Sequence, residues 1–302
     1  IEVHPEWYLT RKNSKTVGGE CNLKRHLVVK NAKLQAPNTE SQTAKDIFWR
    51  DKRGGYWLDP ASAQARAYLL DFSKRMIDMG FDELQYDYIR FPSDGDVDAA
   101  IYPVWDKSMS KHEVLRSFFT FLRDGLKTHK PDIILSADLF GYVAAQGEDA
   151  SIGQRLEDIG DAFDYISPMV YPSHYYSGFY TASDIGRGLK DVNYTFAQAR
   201  ANPNVVVERS LFFARDFLDG RLATSSRATT SPVGVRPSSV RLRPWLEDFF
   251  HDEDRAAGRP HGVDKIRMQI EAAERVEDHG WLLWNASNIY TEGALNPVLE
   301  KR

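Results

Sequence analysis

The sequence has a single cysteine, Cys21, among 302 residues. A lone thiol closes no internal disulfide and excludes thiolate metal clusters, which need several Cys ligands. It leaves the compartment open, because a secreted protein does not require disulfides. Long apolar runs are missing as well. No stretch approaches the roughly 18 apolar residues of a membrane span, and Ile1 to Tyr8 carries Glu2, His4 and Glu6 in place of a signal peptide's apolar segment. No membrane span is expected. Neither charge dominates: 39 Lys and Arg face 43 Asp and Glu, for a net charge of -4. That balance offers a polyanion no basic footprint, so nucleic acid is not an expected partner. No G-x-G-x-x-G or G-x-x-x-x-G-K turn follows a predicted strand, which removes the phosphate cradles of dinucleotide-binding and P-loop folds. The eight histidines show neither H-x-H nor H-E-x-x-H spacing, and the acidic group Asp82, Glu83, Asp94, Asp96 and Asp98 lacks the spacing and terminal glutamate of a calcium loop. Neither a metal nor another cofactor is expected.

What is present is an ordinary globular composition, 42% hydrophobic and 27% charged. The length suits two domains of about 150 residues or one (β/α)8 barrel of about 250. Aromatic residues reach 12%, with seven Trp and fourteen Tyr; such rings fill cores or stack on the apolar faces of sugars. The clearest predicted helix is Asp59 to Gly80, with Asp59 as cap, Pro60 at the first helical position and Gly80 in a left-handed exit. Its expected apolar stripe is Ala65, Leu69, Phe72, Met76 and Met79. A strand, Glu83 to Phe91, follows at once and is ended by Pro92.

The alternation continues with helix 112–129, strand 133–137, helix 152–159, strand 165–171 and helix 184–200. Strands 205–213 and 240–243, helix 263–279 and strand 281–284 complete it. Strands separated by helices predict a parallel sheet with helices outside, and the expected fold is one α/β domain over 1–302, a (β/α)8 TIM barrel. Residues 1–55 contribute only Leu27 to Lys30, so the tally is seven strands and the N-terminal strands are expected to be missing or divergent. Thr224 to Ser239, rich in Ser, Thr and Pro, reads as an exposed polar loop.

In a barrel the last inward residue of each strand faces the substrate pocket. Asp87, sharing its face with Gln85, ends one strand, and Asp138, with Ser136 two residues below, closes the next. Glycosidic bond cleavage needs such a pair, one carboxylic acid to protonate the leaving oxygen and one carboxylate to attack the anomeric carbon or activate water. Tyr86, Tyr88 and Phe140 would supply the desolvation that separates their pKa values. The competing reading makes each Asp a helix cap or the partner of an arginine such as Arg90. Tyr171 and His174 fall on the next rim, with Tyr175 and Tyr176 as a sugar platform. Trp245, Glu247 and Asp248, then Trp284 and Asn285, gather stacking and hydroxyl-binding groups at the last two strand ends. Gln85, Tyr88, Arg90 and Gln154 join them as substrate-binding candidates.

The segments 80–92 (GFDELQYDYIRFP), 136–141 (SADLFG), Ile152-Gly153-Gln154, 164–175 (DYISPMVYPSHY), Arg243-Pro244-Trp245-Leu246 and 280–285 (GWLLWN) carry a resemblance. In this order they are similar to the bacterial putative glycosyl hydrolase domain family, domain of unknown function 4015, over about residues 54–290. The resemblance implies a glycoside-hydrolase-like TIM barrel with Asp87 as the rim carboxylate of its fourth strand, where several retaining glycosidase clans carry their nucleophile. The family usually has Gln where this chain has Glu247, and its members carry an N-terminal portion that here begins late, at Ile1, so a fragment or a divergent start is expected.

The leading expectation is a glycoside hydrolase acting on a poly- or oligosaccharide, with Asp87 as nucleophile or base and Asp138 as general acid. A cell-envelope or secreted location is favoured over the cytoplasm. The alternative is a non-catalytic carbohydrate-binding barrel of the cell envelope. A barrel lyase or aldolase ranks last, because no rim strand ends in Lys.

Overall fold

The computed structural model describes residues 7–11, 48–149, 151–222, 239–249 and 262–295. The strand expected at Leu27 to Lys30 and nearly all of the polar loop 224–239 lie outside them. In chain order the first elements are β1 (Thr10–Arg11), α1 (Ala63–Asp78), β2 (Glu83–Tyr86), β3 (Ala100–Ile101), α2 (Lys111–His129), β4 (Ile134–Phe140) and α3 (Gly141–Gln146). Then come β5 (Glu148–Asp149), β6 (Gln154–Arg155), α4 (Leu156–Gly160), β7 (Tyr165–Met169), β8 (Phe179–Thr181), β9 (Val192–Tyr194) and α5 (Phe196–Ala201). The last are α6 (Pro203–Leu218), β10 (Arg241–Leu242), β11 (Trp245–Glu247), α7 (Val263–Val276), β12 (Leu282–Trp284) and α8 (Glu292–Leu295). They form two compact units, one of Ile1–Phe81, Arg90–Pro131 and Ser151–Gly153, the other of Asp82–Ile89, Asp132–Ala150 and Gln154–Arg302.

In the first unit α1 packs on α2. The two helices approach closely where Gly125 faces Leu70: a Cβ on Gly125 would lie 2.8 Å from both Leu70 methyl carbons. The cap of α1 is Ser62, whose hydroxyl accepts from Ala65 N, and not Asp59. Its buried face is Ala65, Leu70, Ser73 and Ile77, turned from the expected stripe, so that Phe72 and Met79 are exposed. Gly80 does take the left-handed exit, at φ +100°. The α2 boundaries match expectation, and its start carries a Ser110–Glu113 capping box. Leu9, Trp49 and Trp57 form a small buried cluster.

The second unit is built on a parallel sheet in the order β12-β11-β7-β4-β2, with β10 also on β7. Arg241 and Leu242 pair with Tyr165 and Ile166, and Trp245 pairs with Met169, so β10 and β11 are one strand interrupted at Pro244. Neighbours in space follow chain order in one direction, the singly wound order of a barrel and not the reversing order of a doubly wound sheet.

Two side-chain links show that the sheet is curled. Arg243 pairs with Glu83 of β2, and Trp245 donates to Asp138 of β4, although β4 and β7 or β7 alone lie between. In a flat sheet, strands three steps apart are about 14 Å distant. The result is a mixed α/β fold with a parallel half-barrel; a closed ring of eight strands is not formed among the described residues. Leu135, Ala137, Leu139, Ile166, Leu242 and Leu246 form a fully buried apolar face, and α3 and α7 pack on these strands. Each of the Leu and Ile side chains stabilises the fold by about 1.5–3 kcal/mol. The alternate positions Glu83, Gln85, Ser136, Asp138, Ser167, Arg243, Trp245 and Glu247 form the polar concave face.

Two expected elements are corrected. The segment 184–200 is not one helix: Asp184 and Leu189 exchange backbone hydrogen bonds around Gly186 and Gly188, β8 and β9 form an antiparallel hairpin, and only α5 is helical. The segment 205–213 is not a strand but lies within α6, with Pro203 in the first turn and Val206, Val207, Ser210, Leu211, Ala214 and Phe217 buried at helical spacing. Strand β2 is also shorter than 83–91, since it stops at Tyr86, and Tyr88 takes a left-handed φ of +56°.

Candidate active site

The carboxyl ends of adjacent parallel strands bring the candidates together. Gln85 pairs with Ser136 and Tyr86 with Ala137, where the ladder ends, and Asp87, the next residue, lies near enough for its charge to act on Asp138. Asp138 lies within β4, which runs on to Phe140, and does not close the strand. Its partner on the other side is Ser167 of β7.

Asp138 is buried, 6% exposed. Its Oδ1 accepts Gln85 Nε2 at 2.5 Å and Trp245 Nε1 at 2.8 Å. Burial pushes its carboxyl up to about 6, helped by the charge of Asp87 and opposed by those two hydrogen bonds and by Arg243. Because both donors fall on Oδ1, Oδ2 is the oxygen placed to carry the proton. Asp87, by contrast, is exposed and accepts its neighbour's main-chain N–H, from Tyr88, at 2.7 Å. Two neighbouring carboxylates thus have opposite surroundings, one dry and one wet.

Gln154 is a support and not a surface group: buried, it donates to the Asp138 carbonyl at 3.2 Å and accepts from Phe140 N at 3.1 Å. Tyr171, just past β7, is buried, and its phenol is pushed up by burial and by the charges of Asp138, Asp87 and Glu247. His174 is exposed among the rings of Tyr171, Phe249 and Tyr176. Tyr176 is exposed, whereas Tyr175 is fully buried and leaves the expected platform.

Glu247 is buried, with Oε2 accepting Ser173 Oγ at 2.6 Å and Ser173 N at 3.0 Å; burial raises its carboxyl against those bonds. Gln269 fixes the Glu247 main chain at both its N–H and its carbonyl. Asp248 is buried too and accepts from Thr291 N and Oγ1, both at 2.8 Å, while Asn285 donates to its carbonyl. Trp245 and Trp284 meet edge to face at 6.0 Å, and Trp284 is 44% exposed. Arg90 belongs to the first unit, where it contacts Phe91 O, Ser93 and the Trp57 ring. Among the described residues no group of three or more His, Cys, Asp or Glu could hold a metal ion, and no helix is long and apolar enough to cross a membrane.

Sequence reasoning missed Glu83, Ser173, Gln269 and Arg243 as site residues. Period-two alternation would have put Glu83 on the face of Gln85 and Arg243 on the face of Trp245, but the long-range partners of Ser173 and Gln269 leave no local pattern.

No curated protein sequence matches the chain. Among solved structures it is similar to the PgaB (BpsB) glycoside hydrolase domain from Bordetella bronchiseptica at 14% identity and a TM-score of 0.45, over 76% of this chain and 59% of that one. It is also similar to a hypothetical protein from Ruminiclostridium thermocellum at 33% identity and a TM-score of 0.26, over 31% of this chain and 44% of that one. The chain therefore spans less than two thirds of either. A family model described as Putative glycosyl hydrolase domain matches residues 23–290, and the chain belongs to that family.

Proposed function

We propose that this chain is a glycoside hydrolase of the two-carboxylate type, acting on a poly- or oligosaccharide, with Asp138 as the general acid and Asp87 as the nucleophile or base. The observation that carries the reading is the split environment of the pair. A carboxyl at about 6 beside an exposed carboxylate is the pattern that lets one group give a proton while the other stays ionised. Trp245, Trp284, Tyr176 and His174 supply faces and edges on which a sugar ring can lie. Supported by the singly wound strand order, the half-barrel is read as part of a (β/α)8 barrel.

The test is release of reducing ends from a panel of soluble glycans by the wild type, Asp138→Asn and Asp87→Asn. Each variant is expected to lose about 10²-fold or more in turnover, with melting temperatures no lower than that of the wild type. The wild-type rate should fall as pH rises past about 6, as Asp138 loses its proton. Full turnover by either variant on a glycan that the wild type cleaves would overturn that residue's role. Glycan binding with no hydrolysis by the wild type would instead favour a carbohydrate-binding barrel.

A further inference from the structure

Arg243 joins strands that are not neighbours. Its Nη1 lies 3.1 Å from Glu83 Oε2, and its Nη2 pairs with Glu83 Oε1. Ser136, on the strand between, donates to the same Oε1 at 2.7 Å. The guanidinium carbon sits 4.5 Å from the Tyr165 ring centroid, so the planar group is held by an ion pair and by stacking.

The residues tied in this way sit two positions before the ones that hold Asp138. Gln85 follows Glu83 on the same face of β2, and Trp245 follows Arg243 on the same face of β10–β11. Both donate to Asp138 Oδ1. We infer that Arg243 is a positioning residue for Asp138: clamped on Glu83, it sets the separation at which Gln85 and Trp245 reach one carboxylate oxygen.

The charged and titratable groups around Asp138 are consistent with this. Asp87 and Glu83 come from the β2 side, Arg243 from β10–β11 and Tyr171 from the end of β7. Asp87 disfavours the ionised form, and Arg243 is the cation that acts against it. The functional meaning rests on the reading of Asp138 as the acid, but the positioning itself is measurable without turnover.

The Trp245 indole N–H donates to Asp138, so its ¹H–¹⁵N resonance reports the protonation of that carboxyl. It is assigned among the seven Trp by Trp245→Phe. Arg243→Met should raise the titration midpoint by about one pH unit or more, since an adjacent opposite charge lowers a carboxylate by 1–3 units. Glu83→Gln removes a negative charge and leaves the guanidinium, so the midpoint should fall. Arg243→Lys keeps the charge and loses the two-pronged pairing; the midpoint should stay near wild type while the resonance itself moves. A purely structural brace would shift Arg243→Met and Glu83→Gln in the same direction, and that result, or unchanged midpoints, would overturn the inference. If Arg243→Met does not fold, Glu83→Gln alone decides by a fall or its absence. Asp138→Asn turnover tests the hydrolase reading separately, so either can fail without the other.

Discussion

Asp138 carries an energetic cost beside the role proposed for it. Its folded carboxyl stands at about 6 against an ordinary value of 3.8, so the folded state holds the proton more tightly than the unfolded chain does. The stability that this provides is fully present below pH about 4 and is lost as pH rises through about 6, which amounts to up to about 3 kcal/mol. Asp138→Asn keeps an oxygen for Gln85 and Trp245 and removes the ionisation. The variant should therefore match the wild type in melting temperature near pH 4 and exceed it by several degrees at pH 7. Equal differences at both pH values would mean that the carboxyl is not perturbed. At this scale the sequence was legible in where a residue sits: Gln85, Asp138 and Trp245 share one face of the sheet, as alternation along the strands places them, and Asp87 follows the end of its strand. It was not legible for Gln154, Asp248 and Arg90. Gln154 spends its side chain on main-chain groups and Asp248 on the N–H and hydroxyl of Thr291, while Arg90 sits in the other unit; all of these contacts depend on tertiary partners.

The start of α1 shows how an element is read correctly for an incorrect reason. Ser-x-x and Asp-Pro starts both announce a helix, and Asp59-Pro60 is the louder motif, yet the cap is Ser62. Asp59 is fully buried and does more: Oδ1 accepts Ala61 N at 2.9 Å, and Oδ2 accepts Val104 N at 2.8 Å and Trp105 N at 3.0 Å. It joins the helix entrance to a segment 45 residues away, a partner that no local pattern reveals. Asp59→Ala should thus cost about 3 kcal/mol or more in urea unfolding, because three N–H groups lose their acceptor. Ser62→Ala should cost only about 1 kcal/mol, the ordinary loss of a cap. Equal costs would return Asp59 to the role of a simple cap. Elsewhere the errors share a cause: three successive valines, Val205 to Val207, suggest a strand, but the spacing of buried residues through Phe217 is helical and burial decides. The two glycines at 186 and 188 were the available turn signal in the supposed helix 184–200.

At the scale of the molecule, the parallel sheet was legible because helices alternate with strands and four helix-to-strand steps, α1 to β2, α2 to β4, α4 to β7 and α7 to β12, are short. The curl was not, since it is fixed by side chains that cross the sheet. A comparable link holds the outer helices of the second unit. Arg215 on α6 pairs with Glu277 at the end of α7, Nε to Oε1 at 2.6 Å and Nη2 to Oε2 at 3.2 Å. Both its terminal nitrogens also donate to Val240 O, just before β10, at 3.1 Å. The Glu277 side chain is 7% exposed and that of Arg215 19%, so water screens the pair poorly. Removing one partner leaves a buried charge alone, which costs about 3–5 kcal/mol, whereas replacing both by apolar groups is often close to neutral. Arg215→Met should therefore destabilise strongly in urea unfolding, and Arg215→Met combined with Glu277→Leu should recover most of the loss. A single variant within about 1 kcal/mol of wild type would show a solvated surface pair. A double variant no better than the single would put the stabilisation in the Val240 contact, that is, in the junction of helix and strand, and not in the charge pair.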